Sequence, residues 1–214
     1  MGYFYTDEHI KIFKRVCGPL QNNTYLVVDR STNDGVIIDA PSDPEELLGD
    51  LHGTVVRAIL LTHNHRDHWD GLLQIMSHCG ASFGVHKEDS NGLPEQPAFI
   101  LEGDSNIHLG GLDIVAIHTP GHTDGSVSYK INDLLFTGDT LFPGGPGRSR
   151  SPEALSQIIK SITTKLYKYP DETVVLPGHG LPTTIGLSKK EYEVFSGTGY
   201  SPELYGDVLW MPDG

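Results

Sequence analysis

The sequence predicts an α/β protein in which two mixed β-sheets pack face to face with helices on their outer faces. Short apolar runs dense in Val, Ile, Leu and Tyr, separated by turn residues, have the length of strands: 9–16, 23–29, 35–39, 55–62, 82–86, 112–118, 125–131, 133–137 and 173–176. Amphipathic segments interrupt these runs without alternating strictly with them. Strands that arrive in meandering groups fit a pair of mixed sheets better than one doubly wound parallel sheet.

The helices follow from apolar spacing and end signals. Asp43-Pro44 opens the first, which carries Leu47, Leu48 and Leu51. The second runs from His68 to Cys79 and places Leu72, Leu73 and Met76 on one side. Ser151 caps the third, Pro152 fills its first helical position, and Leu155, Ile158, Ile159, Ile162 and Leu166 form its apolar stripe. A fourth begins near Ser188. Residues 88–97, rich in Gly, Pro, Asn and acidic side chains, read as a surface excursion, and the tail from Ser196 onward is Gly-, Pro- and Tyr-rich without periodicity.

A chain of 214 residues is long enough for a full core, and one domain spanning 1–214 is expected. With 28 acidic against 15 basic residues the formal charge is −13, which argues against nucleic acid or anionic lipid as a partner. The first residues lack a basic stretch followed by a long apolar one, and no run approaches bilayer-spanning length; a soluble, cytoplasmic protein is the expectation. Cys17 and Cys79 lie far apart and outside any C-x-x-C spacing, so both read as reduced structural residues.

Chemistry gathers where apolar runs stop. Residues 55–61 end in THNHRDH, 112–117 run through His118 to TPGHT with His122, 134–137 end in TGDTLF with Asp139, and 173–176 end in PGHG with His179. If these strand ends lie side by side, their polar residues meet at one edge. Imidazole and carboxylate together suit zinc and other first-row metals. His63 and His65, two apart in extended chain, can chelate one ion, whereas Asp67 and His68 lie at a helix start that points them elsewhere. Two ions follow, with His122 completing the first site, His179 the second and Asp139 able to bridge. His9, His52, His78, His86 and His108 read as surface or capping residues, and His118 as a supporting partner or an ordinary strand histidine.

This H-x-H-x-D-H string with its later P-G-H, G-D and P-G-H signals resembles the metallo-β-lactamase-fold superfamily, and within it the glyoxalase II (hydroxyacylglutathione hydrolase) branch, over residues 9–195. The resemblance implies a four-layer αβ/βα sandwich with a dinuclear site at one edge of the sheets. It assigns His63, His65 and His122 to the first metal, Asp67, His68 and His179 to the second, and Asp139 to the bridge. Asp39, which closes VIIDA, matches a position that supports the metal loops. The cofactors implied are two divalent ions, zinc foremost, with iron or a mixed iron–zinc pair as alternatives. The implied reaction is hydrolysis of a thioester or ester by a metal-bridging hydroxide oriented by Asp67, acting on a small-molecule substrate. A homodimer is compatible with the sequence.

The sequence departs from the glyoxalase II pattern in three places. No helical C-terminal glutathione-binding domain has room after the fourth helix. Arg148 fits a basic position of the substrate segment, but Arg150 stands where a tyrosine is expected, and Leu181 rather than a tyrosine follows PGHG. Arg148 and Arg150 are the candidate substrate-binding residues. The main alternative activity is that of a persulfide dioxygenase with one iron on His63, His122 and Asp139; acyl-homoserine lactonase and β-lactamase are lesser ones.

Overall fold

The computed structural model describes residues 3–211. Its first sheet holds seven strands in sequence order: β1 (Tyr5–Thr6), β2 (Ile10–Cys17), β3 (Asn22–Asp29), β4 (Asp34–Ile38), β5 (Val55–Leu60), β6 (Phe83–His86) and β7 (Phe99–Leu101). Pairing is antiparallel from β1 to β4 and parallel from β4 to β7. The second sheet uses β8 (Ser105–Leu109), β9 (Leu112–His118), β10 (Val127–Ile131) and β11 (Leu134–Gly138). After a separate hairpin of β12 (Leu141–Phe142) and β13 (Gly145–Pro146), it is completed by β14 (Val174–Pro177) and β15 (Thr183–Thr184), giving the order β15-β14-β11-β10-β9-β8. Both sheets are mixed, the first because its pairing changes from antiparallel to parallel at β4 and the second because β11 and β14 run parallel among antiparallel neighbours.

Three apolar clusters make the four layers. Alternate residues of a strand point to opposite faces, so Tyr25 and Val27 face the second sheet while Leu26 and Val28 face outward. The inner cluster joins these with Ile38 and Leu60 to Ile114, Tyr129 and Phe136 of the opposing sheet. The outer cluster of the first sheet packs under α1 (Glu45–Asp50) and α2 (Leu72–Cys79). That of the second sheet packs under α3 (Pro152–Ser161), the π-helical turn Ile162–Leu166 and α4 (Ile185–Thr198). The Ser151 hydroxyl accepts from the Ala154 N–H at the start of α3, and the whole expected stripe from Leu155 to Leu166 is buried.

Several boundaries differ from expectation. The segment expected to be helical from His68 divides into a single 3-10 turn, Arg66–His68, and α2, which starts only at Leu72. The backbone of Ala40 explains the break: its N–H donates to the His68 carbonyl and its carbonyl accepts from the Gly71 N–H. A Cβ on Gly71 would lie 2.0 Å from the Pro41 carbonyl oxygen, so the chain can pass there only as glycine. In α2 the core-facing residues are Leu72 and Ile75, and Leu73 is exposed. The fourth helix begins at Ile185, three residues early, capped by Thr184. The strands that sequence periodicity passed over, β1, β7, β8, β12, β13 and β15, are short, and β8 has no residue fully buried.

The aperiodic tail is packed. Val208 and Trp210 are buried in the outer cluster of the second sheet, the Trp210 N–H donates to the Gly144 carbonyl, and Gly206 pairs with Ser149.

Two core tyrosines bind the sheets to each other at one edge. Tyr25 of β3 donates its hydroxyl to the Pro177 carbonyl across the sandwich, at 2.7 Å, and Tyr129 of β10 donates to Leu61 in the opposite direction, at 2.8 Å. Replacing Tyr129 by Phe takes the hydroxyl partner from the buried Leu61 carbonyl and is expected to cost about 1–3 kcal/mol, whereas Tyr25→Phe should cost less because the Pro177 carbonyl still accepts from Asn23 Nδ2; both are read as a lower denaturation midpoint in urea at unchanged m-value.

Candidate metal centre

β9, β11 and β14 run the same way, since β9 and β11 are both antiparallel to β10 and β14 is parallel to β11. Their three following loops therefore emerge at one edge of the second sheet, bringing His122, Asp139 and His179 together. The fourth contribution comes from the other sheet. β5 ends in the loop Thr62–His65, which is joined across the gap by the Val127 N–H donating to the Thr62 carbonyl. So the site lies between the edges of two sheets, and the four strand ends are not all neighbours in one.

The seven expected ligands converge. His63, His65 and His122 offer ligand atoms that all lie within 4.8 Å of one another, as do those of His63, His68 and Asp139 and those of Asp67, His68 and His179. His63 and His68 are buried outright, at 1% and 0% exposure. Asp139 Oδ1 lies 3.4 Å from His68 Nε2 and its Oδ2 lies 3.6 Å from His122 Nε2 and 3.7 Å from His179 Nε2, so the carboxylate stands between the two triplets.

Hydrogen bonds on the far side of each ring decide which nitrogen faces inward. His68 Nδ1 donates to Asp39 Oδ2, His122 Nδ1 to the Arg148 carbonyl and His179 Nδ1 to the Leu20 carbonyl. His63 Nδ1 donates to the Thr62 hydroxyl, which in turn donates to Asp39. Each of these four rings keeps its Nε2 for the centre. His65 is turned round: its Nδ1 lies 3.1 Å from His63 Nε2 and 2.9 Å from His122 Nε2. Two of the inward atoms, His68 Nε2 and Asp139 Oδ1, are buried without any hydrogen-bond partner. Buried polar atoms are rarely left so, and here an imidazole nitrogen and a carboxylate oxygen stand 3.4 Å apart, a space that fits a cation between them.

The electrostatics separate the triplets. Burial, with the other histidines adding to it, pushes His63 well below its ordinary range, and burial with His122 and Arg150 pushes His65 down to about 4. His122 is also lowered, chiefly by burial. His68 goes the other way: burial opposes its charge, but Asp139 and Asp39 outweigh it and raise the pKa well above the ordinary value. Asp67 is pushed up by burial, yet hydrogen bonds from His179 and Asn22 prevail and hold it well below the usual carboxylate range.

Some supporting residues carry no sequence signal. Asn22, 1% exposed, donates from Nδ2 to Asp67 Oδ2 at 2.8 Å, from a position one residue before the strand expected at 23–29. Asp89 falls in the stretch expected to be a surface excursion, but it is buried. Its carboxylate accepts from the Asn64 N–H, the Thr123 hydroxyl and the Gly125 N–H, clamping the loop of His63 and His65 to that of His122. Asp39 sits where expected, beside His68. Arg148 holds His122 through its backbone, while its side chain, exposed, faces Asp207 at 3.9 Å. Arg150 Nη2 lies 2.8 Å from His65 Nε2. His86 is buried rather than superficial; its ring caps the turn that follows β6 and stacks on His118 at 3.9 Å.

The metallo-beta-lactamase superfamily matches residues 17–179. The chain belongs to that superfamily. Among curated relatives, hydroxyacylglutathione hydrolase GloC of Haemophilus influenzae is 32% identical over 193 residues, 79% of this chain and 91% of that one. Among solved structures, the BLEG-1 B3 metallo-beta-lactamase superposes with a TM-score of 0.77 at 28% identity, over 84% of this chain and 96% of the other. TTHA1623, solved in a di-iron-bound form, gives 0.70 at 32% identity, over 83% and 97%. The superfamily resemblance read from THNHRDH and its companions is thus shown, as is the sandwich of two mixed sheets with helices. Among the described residues no helix is long and apolar enough to cross a membrane.

Two predictions follow from this geometry. An ion entering the second triplet must displace the protons that, against burial, are favoured on His68 by Asp139 and Asp39 and on His179 by Asp67 and Asp139, whereas burial keeps His63, His65 and His122 neutral near neutral pH. Lowering the pH from about 8 to about 6 should therefore release the second ion first, about tenfold in affinity per unit below the His68 pKa, as counted by elemental analysis after dialysis. Simultaneous loss of both ions would contradict this. His65 ligating through Nδ1 carries its proton on Nε2, which then faces the Arg150 donor. Arg150→Gln, which relieves that conflict and removes a nearby cation, should tighten metal binding roughly tenfold at low salt in a chelator competition.

Proposed function

We propose that this protein is a dinuclear metal-dependent hydrolase of thioesters or esters, with His63, His65 and His122 holding one ion, Asp67, His68 and His179 the other and Asp139 shared. The observation that carries the reading is the pair of buried, partnerless inward atoms on His68 and Asp139, set between two triplets of donors whose outer nitrogens are already engaged. An imidazole and carboxylate set of this kind suits zinc, and it accepts iron or a mixed pair. Two divalent ions so held lower the proton affinity of bound water and polarise a carbonyl oxygen.

What the chain itself does is position and exclude. Asp67 remains ionised and so is an acceptor only; tethered by Asn22, it can orient a water through that water's O–H. His63, His65 and His122 stay neutral and offer lone pairs without prior loss of a proton. No side-chain nucleophile is required, and burial pushes the Cys17 thiol up to about 11, out of use at neutral pH. The likeness to hydroxyacylglutathione hydrolase GloC supports the thioester class.

A one-iron dioxygenase would engage His63, His122 and Asp139 and leave the other ligands idle. The ligand string is common to both readings, and what supports a second ion here is that Asp67, His68 and His179 also gather their ligand atoms within 4.8 Å of one another. Elemental analysis tests this directly: two ions per chain are expected, and one iron with oxygen uptake would overturn the hydrolase reading. A panel of a glutathione thioester, an acyl lactone, a β-lactam and glutathione persulfide then names the branch. Asp139→Ala should lose metal and turnover together, and near wild-type metal with full turnover would sink the shared-carboxylate arrangement. Asp39→Asn, which weakens the hold on His68, should cost about 10–100-fold in metal affinity.

A further inference from the structure

The metal edge opens onto a mouth whose two sides differ in character. On one side Phe142, Pro143 and Leu209 line a cavity together with His122, Asp139 and the ion pair of Arg148 and Asp207, Arg148 being shared with the other side. Leu209 is 62% exposed, a large apolar side chain left in water beside a polar centre. On the other side Arg148, Ser149, Arg150 and Tyr205 line a second cavity with His65 and His122. Arg150 has no carboxylate within ion-pair distance among the described residues, in a chain where acidic residues outnumber basic ones 28 to 15. A guanidinium that touches the neutral His65 ring but no carboxylate, beside a metal edge, is complementary to an anion.

The C-terminal segment divides these sides. Tyr205 and Gly206 face the cationic cavity, while Asp207, Val208 and Leu209 face the apolar one. It is held in place rather than loosely draped, because Gly206 pairs with Ser149, the Trp210 N–H donates to Gly144, and the Trp210 ring lies 5.1 Å from that of Tyr192. Periodicity gave this segment no role, and it lies beyond the residues that match the superfamily.

We propose that the substrate is amphiphilic, an ester or thioester with an apolar chain on one side of the scissile carbonyl and an anionic group on the other, and that Arg150, Tyr205 and Leu209 set this preference. The inference rests on the hydrolase reading above. Arg150 and the Tyr205 hydroxyl supply donors for the anion. Leu209, with Phe142 and Pro143, withdraws the chain from water, which is worth roughly fourfold in affinity for each methylene fully removed.

The test uses the full metal-loaded chain and compares kcat/KM for acetyl and octanoyl thioesters of 3-mercaptopropionate, the same pair on its neutral methyl ester, and the reverse arrangement, a succinyl thioester of octanethiol. An amphiphile in one orientation should exceed both the short anionic and the long neutral substrate by about tenfold or more. Arg150→Gln and Tyr205→Phe should shrink the gain from the anion, and Leu209→Ser the gain from the chain. Hydrolysis of all thioesters at rates equal within about threefold would overturn the inference and leave the hydrolase reading standing. If no thioester is cleaved, the thioester part of the hydrolase reading fails by itself, and calorimetry with octanesulfonate and methanesulfonate decides the groove. An octyl advantage that Leu209→Ser abolishes supports it, and equal affinities overturn it.

Discussion

Asp39 stands just past the end of β4 in a left-handed conformation, φ +60°, with its carboxylate buried. That carboxylate accepts from the Thr62 N–H, from the Thr62 hydroxyl and from His68 Nδ1. One side chain thus fixes the first residue of the ligand loop, orients His63 through the threonine, and sets the tautomer of His68. The strained backbone is tolerated because three hydrogen bonds at this position depend on it. Remove it, and the two triplets lose their common reference.

The rest of the sandwich keeps that reference in register with the opposite sheet. Tyr25 and Tyr129 cross between the sheets to the carbonyls that precede the ligand loops, and the Asn23 N–H donates to the Gly178 carbonyl. Gly178 cannot carry a side chain, since a Cβ there would lie 2.4 Å from Asp139 Oδ1 and 2.6 Å from His68 Cε1. Gly138, at φ +49°, is similarly confined by Thr62 at 2.4 Å. The two glycines let the strand ends of one sheet approach the loop of the other closely enough for imidazoles from both to share a centre.

Gathering five imidazoles in a buried edge is costly unless their protons are managed. Burial keeps His63, His65 and His122 neutral, while Asp139 and Asp39 favour the charged form of His68. The asymmetry means that the two halves of the centre answer differently to pH although they share a carboxylate. It also shows why supporting residues matter as much as the ligands: Asn22, Thr62 and Asp89 hold geometry that the metal-facing atoms alone could not.

The residues of the centre were legible in the chain because each follows an apolar run and a turn, and because two histidines spaced by one residue face the same way in extended chain. THNHRDH, with His122, Asp139 and His179, needed no structure to be read as a metal-binding set. Asn22 and Asp89 were not legible, since their partners lie 45 residues away at Asp67 and 25 to 36 away at Asn64, Thr123 and Gly125. The start of α2 was misplaced for the same reason: Ala40, distant in sequence, takes the backbone groups that a helix from His68 would have used. Local pattern therefore determined the sheets, the helices and the donor atoms, because periodicity and residue chemistry are properties of short segments. Only the tertiary structure decided which ring nitrogens face inward, that the ligands come from two sheets, and that a tail without periodicity walls the mouth, because each depends on contacts between segments far apart in the chain.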